Sequence, residues 1–151
     1  MPGAGGTQRL LRLCGVAMAL DMMLTGKHVN TEDAYKNGII DEIADDDNTI
    51  DNGIAYAKRL ISEGFKVRPT SKINDKLSNL EEVKKIIVKV KAETLIKAKN
   101  LFSPHAIIKC VEEGLDLDFD SSIKNERKIF KECIESSQRQ GLIHSFFAER
   151  A

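Results

Sequence analysis

The chain has 151 residues and a mass of 16.8 kDa, which is the size of one ordinary domain. With 42% hydrophobic and 30% charged residues it can build a globular core, and disorder is not the default. Aromatics at 5%, 3 Pro and no Trp argue against an all-β sandwich, and 23 basic against 23 acidic residues lack the basic excess of a nucleic-acid binder.

In chain order the apolar periodicity is helical almost throughout. Leu10, Leu11 and Leu13 open a short helix that Gly15 stops. Val16, Ala19, Leu20, Met23 and Leu24 then recur at helical spacing as far as Gly26. Asn30 is suited to cap a third, short helix, with Glu32 and Asp33 in its first turn and Gly38 at its end. Ile39 to Ile43 is the best strand candidate, and an acidic loop, Asp45 to Asp47, follows it. Ile50 to Ile61 reads as a fourth helix with Ile54, Ala57, Leu60 and Ile61 on one face. Gly64, Pro69 and several polar residues make 64–78 an extended loop.

The longest helix is expected over 79–100, where Leu80, Val83, Ile87, Val90, Thr94 and Ala98 form a stripe about 33 Å long. Ser103-Pro104 reads as a capping hydroxyl followed by proline at the first helical position, with Ile107, Ile108 and Val111 facing inward before Gly114. Two more helices are expected, from about Phe119 to Ile134 and from about Gln138 to Glu149. The fold class is therefore mainly α with one short strand near 39–43. One strand cannot make a sheet, which is a first hint of missing sequence. The second hint is that residue 1 leads straight into a glycine-rich turn. On this reading the helices at 9–25 lack the sheet they would cover. Their apolar faces, including Leu10, Leu13, Leu20 and Met23, should be under-buried and drive self-association.

Cys14, Cys110 and Cys133 form no CxxC pair, so three thiols in a reducing compartment are expected rather than a disulfide framework. No apolar run approaches the roughly 20 residues that span a bilayer, and the first ten residues lack a signal core, so a soluble intracellular protein is expected.

Few residues suggest chemistry. Gly3-Ala4-Gly5-Gly6 is the only glycine cluster. It lacks the Gly-Lys-Ser/Thr of a Walker loop, and Gln8 stands where a dinucleotide fingerprint needs its third glycine. It can serve as a tight turn, or expose backbone N–H groups that hold an anion, a water or a developing negative charge. His28, His105 and His144 have no metal-ligand spacing and read as surface or helix-end residues; no metal is expected. Glu112 and Glu113, as helix neighbours, point about 100° apart and do not make an acid–base pair. From Lys58 to Lys99 the basic residues are in excess, which could attract a phosphorylated ligand such as coenzyme A or simply form the wet side of helices. Phe146 and Phe147 beside Arg150 allow core packing, a ligand lid or a subunit contact.

Pro2-Gly3-Ala4-Gly5-Gly6-Thr7-Gln8-Arg9-Leu10 resembles the enoyl-CoA hydratase/isomerase (crotonase) superfamily. Leu13-Cys14-Gly15, the run Ala19 to Lys27 with its Leu-Thr-Gly-Lys ending, Asp33-Ala34 and Gly38 to Glu42 continue the likeness. Ser103-Pro104-His105-Ala106, Asn125-Glu126-Arg127 and Gly141 to Arg150 are similar to the hydratase part of multifunctional β-oxidation enzymes, in which a 3-hydroxyacyl-CoA dehydrogenase follows.

The resemblance implies the C-terminal helical part of a crotonase α/β spiral. Residues 1–64 would end the crotonase core, 65–102 would form a loop and long linking helix, and 103–151 would be the C-terminal helices. It implies syn addition of water to a 2-trans-enoyl-CoA, giving a 3-hydroxyacyl-CoA. Two backbone amides hold the thioester enolate and two glutamates handle the water, with no cofactor beyond the coenzyme A thioester that is the substrate. The family's glutamates and oxyanion-hole residues lie upstream of the Pro-Gly-Ala-Gly-Gly turn, so a fragment inactive alone is expected.

Among residues present, the resemblance gives the Gly3 backbone N–H to the catalytic water, and it places Phe146, Phe147 and Arg150 near the acyl-CoA. The expected partners are acyl-CoA and either the missing N-terminal half or an intact hydratase, with no nucleic acid and no membrane span. A cytoplasmic location is expected, with a peroxisomal one as the alternative. The rival functions are a non-catalytic helical assembly module and an acyl-CoA binder without chemistry.

Overall fold

The computed structural model describes residues 1–45 and 47–150. They form α1 (Gly6–Cys14), α2 (Val16–Thr25), α3 (Thr31–Lys36), α4 (Thr49–Ser62), α5 (Leu80–Lys97), α6 (Phe102–Gly114), α7 (Phe119–Glu135) and α8 (Ser137–Ala148). Two 3₁₀ turns, Thr70–Lys72 and Asp75–Leu77, shape the segment read from sequence as a loop, and the second buries Leu77.

Local rules set the helix ends. Gly15 takes φ +83 and breaks α1 from α2, while Gly26 takes φ +66 after α2. The side chains of Asn30, Asn48, Asn79, Asp118 and Ser136 each accept a backbone N–H three residues on, capping α3, α4, α5, α7 and α8. Ser103 does not cap α6, which begins one residue earlier. The Phe102 N–H donates instead to Oε1 of Gln138, at 2.7 Å, and Gln138 Nε2 donates to the Asn100 carbonyl, at 2.6 Å. Pro104 thus falls inside the first turn, where its missing N–H has no intrahelical partner to lose.

No strand forms among the described residues, and the expected strand at 39–43 is replaced by a helix stop. Gly38 adopts φ +79 and donates to the Tyr35 carbonyl at 3.0 Å, while Ile39 donates to the Ala34 carbonyl at 2.9 Å. This is the Schellman arrangement, and it spends the Ile39 amide on helix α3 rather than on a ladder. Asp41 and Glu42 beyond it are exposed and pair with Arg68, at 2.8 Å, and with Arg59. Of the acidic loop, Asp46 lies outside the described residues.

The core is centred on α6. Leu11 of α1, Val16, Ala19 and Leu20 of α2, Val83 and Ile87 of α5, and Ile107, Ile108 and Val111 of α6 form one buried cluster. Ala106 and Cys110, on the other side of α6, meet Ile129 of α7. Each fully buried aliphatic side chain of this kind contributes about 1.5–3 kcal/mol. The α1–α2 hairpin is therefore interior rather than under-buried. Leu20 is fully buried, and Leu10 and Met23 are half-buried against the same cluster. Helices α5 and α6 supply the cover that was expected from a sheet. By contrast, α4 and α8 contribute no buried residue to the core.

Candidate functional site

The glycine cluster folds into a tight turn at the mouth of α1. The Gly6 N–H donates to the Gly3 carbonyl at 2.9 Å. Ala4, at φ +54, and Gly5, at φ +84 and ψ +9, occupy the two central positions, the geometry of a type I′ turn. The next donors converge on one carboxylate from the far end of the sequence. Glu126, on α7 and only 1% exposed, accepts the Gly5 N–H at 2.6 Å and the Thr7 N–H at 2.9 Å, and the Thr7 hydroxyl donates to it as well. A negative group here is doubly favoured, by three donors and by the positive end of the α1 dipole. The anion that such a turn could recruit is thus supplied by the protein itself at Gly5 and Thr7. The Gly3 and Ala4 N–H groups are left over, with no hydrogen bond among the described residues.

Behind the turn lies a second buried polar layer. Gln8 donates through Nε2 to the Cys110 carbonyl at 2.9 Å, and Arg12 Nη1 donates to the Gln8 carbonyl at 2.9 Å. Gly114 makes room for this amide. A Cβ on it would lie 2.6 Å from both Nε2 and Oε1 of Gln8. Gln8 therefore ties α1 to the middle of α6, and Glu126 ties it to α7.

On its outer side the turn meets Phe130, whose ring carbons lie 3.3 Å from where a Cβ on Gly3 would stand. Phe130 also lines an apolar cleft of about 390 Å³ with Met1, Phe102, Cys133, Ile143 and Phe146. Gly3 and Phe146 thus share Phe130 as a neighbour of one and a co-liner of the other. Phe147 and Arg150 do not line this cleft. Phe147 is 65% exposed and meets Phe146 edge to face, with centroids 5.4 Å apart. Arg150 lies with its guanidinium carbon 3.5 Å from the Phe146 ring centroid, and its Nη1 donates to the Phe146 carbonyl at 3.1 Å.

The remaining candidates have ordinary settings. His105 Nε2 lies 3.2 Å from the Ala98 carbonyl at the end of α5, and His28 and His144 are exposed. Glu112 pairs with Lys91 at 2.8 Å, while Glu113 accepts from Asn125 at 2.7 Å, so the two carboxylates serve different neighbours. All three cysteines are free thiols. Burial pushes Cys110 up to about 12, with the Glu126 carboxylate adding to the effect, and burial also raises Cys14 and Cys133. None of them has the lowered pKa of a nucleophilic thiolate. No group of three metal-ligating side chains occurs among the described residues, and no helix is long and apolar enough to cross a membrane.

Sequence reasoning missed Glu126, Gln8 and Gly114 as a working set. A signal for Glu126 was available. Ser122, Glu126 and Ile129 fall at spacings of four and three on α7, so the carboxylate shares the buried face and must find donors.

The sequence profile of the enoyl-CoA hydratase/isomerase family matches residues 1–90. The whole chain is similar to curated relatives. It is 36% identical to the peroxisomal fatty acid beta-oxidation multifunctional protein AIM1 of Arabidopsis thaliana, covering 100% of this chain and 21% of that protein. Against MFP2 of the same plant identity is 31%, over 99% of this chain and 21% of the relative. The fatty acid oxidation complex subunit alpha of Shewanella frigidimarina is 32% identical over 98% of this chain and 21% of its own length. The chain thus spans about a fifth of the relatives it matches.

Proposed function

Because the chain belongs to the enoyl-CoA hydratase/isomerase family, we propose that it is the C-terminal half of a hydratase domain of the multifunctional β-oxidation type. In this role it completes an active site whose two glutamates and oxyanion-hole amides come from the N-terminal half. The reaction is addition of water to a 2-trans-enoyl-CoA to give the 3-hydroxyacyl-CoA, with the coenzyme A thioester as substrate and no further cofactor. The observation that carries this reading is the Gly3 N–H. It makes no hydrogen bond among the described residues, and, unlike the exposed Ala4, whose N–H is also unpaired there, Gly3 is half-buried beside Phe130 of the apolar cleft and precedes neighbours locked onto Glu126. An amide so held can donate to the water that the glutamates activate, at no cost in reorganisation.

Phe146 then borders the acyl-CoA from the apolar cleft, and Phe147 and Arg150 sit at its outer rim. The names of the plant relatives favour a peroxisomal site of action over a cytoplasmic one.

Complementation tests the reading. The purified chain should not hydrate a 2-trans-enoyl-CoA, because the positions that activate water are supplied by the other half. Co-expressed with the N-terminal hydratase half of a relative such as AIM1, it should form a complex and restore turnover. Turnover by the chain alone within about tenfold of an intact relative would overturn the proposal, since losing one oxyanion donor alone costs about 10²–10³ in rate. A second reading, a non-catalytic assembly module, is favoured by the exposed apolar residues of α4 and α8, among them Ile50, Ile61, Leu142 and Phe147. It predicts a complex without turnover.

A further inference from the structure

Arg12 is a buried charge without a counter-charge. Its side chain is on α1, the residue is 6% exposed, and no ion pair reaches it among the described residues. Buried arginines are rare unless paired. Nη1 is committed to the carbonyl and side-chain oxygens of Gln8, at 2.9 and 3.4 Å. Nε is buried with no partner, and no hydrogen bond engages Nη2 among the described residues. The ring of Phe119 lies under the guanidinium, 5.0 Å from its centroid, and the same ring carries Arg9 at 5.4 Å. That stacking supports the flat face of the cation but supplies no acceptor for its edge. Burial lowers the pKa of Arg12, and no acidic neighbour offsets the effect.

Arg12 also lines a cavity of about 410 Å³ between α1, the second 3₁₀ turn and the α6–α7 connection. Asn74 and Ser78 add polar groups to its wall, and Leu77, Leu80, Leu115 and Leu117 make the rest apolar. Since Nη1 is taken and Nε is sealed from solvent, Nη2 is the donor left to the cavity, a charged N–H group suited to a carboxylate oxygen. Asp75 stands on the same wall without pairing with Arg12, and it disfavours a dianion more than a monoanion.

We propose that this cavity is a binding site for a short aliphatic monocarboxylate, held by Nη2 of Arg12 with its alkyl part against the leucines. The site is independent of the hydratase reading and does not use the Gly3 turn.

The test is a titration of the intact chain with sodium butyrate, following the Arg12 Nε–H resonance by NMR, with sodium phosphate and sodium chloride at matched ionic strength as the other arms. Butyrate should shift the resonance saturably with a Kd of about 1–10 mM. Phosphate should bind several-fold more weakly, and chloride should give no saturable shift. Leu117→Glu, at a residue 41% exposed on the cavity wall, should weaken butyrate about tenfold without disturbing the core. Arg12→Lys should abolish binding; if that variant does not fold, the Leu117→Glu result decides. A linear or absent response to butyrate, an equal response to phosphate, or unchanged affinity in Leu117→Glu would each overturn the proposal.

Discussion

Replacing Glu126 is the sharpest test of how the turn is held. Glu126→Ala removes the acceptor for three donors in a site sealed from water: the Gly5 N–H, the Thr7 N–H and the Thr7 hydroxyl. Hydrogen bonds to a charged group contribute about 1.5–3 kcal/mol each, and leaving a buried donor unmet costs about 1–3 kcal/mol. These terms overlap, and losing one member of a buried charged arrangement typically costs about 3–5 kcal/mol in all. Against a total stability of about 5–15 kcal/mol that is a large fraction. Glu126→Gln keeps the volume and one oxygen, but turns an NH₂ toward a donor, so about 2–3 kcal/mol is expected. Urea unfolding followed by far-UV circular dichroism measures both. Asn125→Ala is the control, because its side chain reaches only the exposed Glu113, and it should cost under about 1 kcal/mol. If Glu126→Gln unfolds within about 1 kcal/mol of the parent, the three bonds do not carry the turn and Gly3 is not locked by them.

Gly3→Pro and Gly5→Ala should separate function from fold in the complemented enzyme. The first deletes an N–H that bonds nothing among the described residues, so turnover falls by about 10², while the thermal midpoint falls less than for the second, because its Cβ would meet only the Phe130 ring, at 3.3 Å. The second forces a side chain onto φ +84 and within 2.8 Å of Ile123, so the midpoint falls. Ala4→Gly should stabilise by about 0.5–1 kcal/mol in the same urea assay, by relieving an alanine at φ +54. Gly114→Ala should cost about 2–3 kcal/mol, because its Cβ would drive Gln8 off the Cys110 carbonyl. For Cys110 the sign of the pH effect is fixed by its raised pKa. The unfolded thiol ionises near 9 and the folded one near 12, so between these values the unfolded state binds fewer protons and stability falls as pH rises. At pH 8, iodoacetamide should label the half-buried Cys133 well before Cys110, as peptide mapping will show.

Legibility differed by element for physical reasons. The helices with strict apolar stripes stood out in sequence, and so did stops set by one residue, as at Gly15, Gly26 and Gly38. Ile39 to Ile43 misled because β-branched residues score as strand wherever they fall. What settled the segment was the left-handed glycine just before it, which bends the chain back on α3. Ser103 misled in the same way: a good capping residue was displaced by the distant Gln138. At the site, the glycine cluster announced a turn, but its partner Glu126 is set by tertiary contact over a separation of 121 residues, which no local pattern encodes. Phe146 was visible as an aromatic beside a cation, yet its place on a cleft shared with Phe130 depends on how α8 leans on α7.

The bond from Gly5 to Glu126 has a bearing on synthesis. Residues 3–7 leave the ribosome some 121 residues ahead of the carboxylate they need. At about 5–20 residues per second this is a wait of roughly 6–25 s. Helix α1 is nine residues long, short of the ~12–15 at which an isolated helix becomes even marginal in water, and until Glu126 arrives the Gly5 and Thr7 amides at its start are unmet. Of the stretch from the turn to α7, the part made first is therefore the last to be secured. Its leucines stay open to chaperones until α6 and α7 have emerged to close over them.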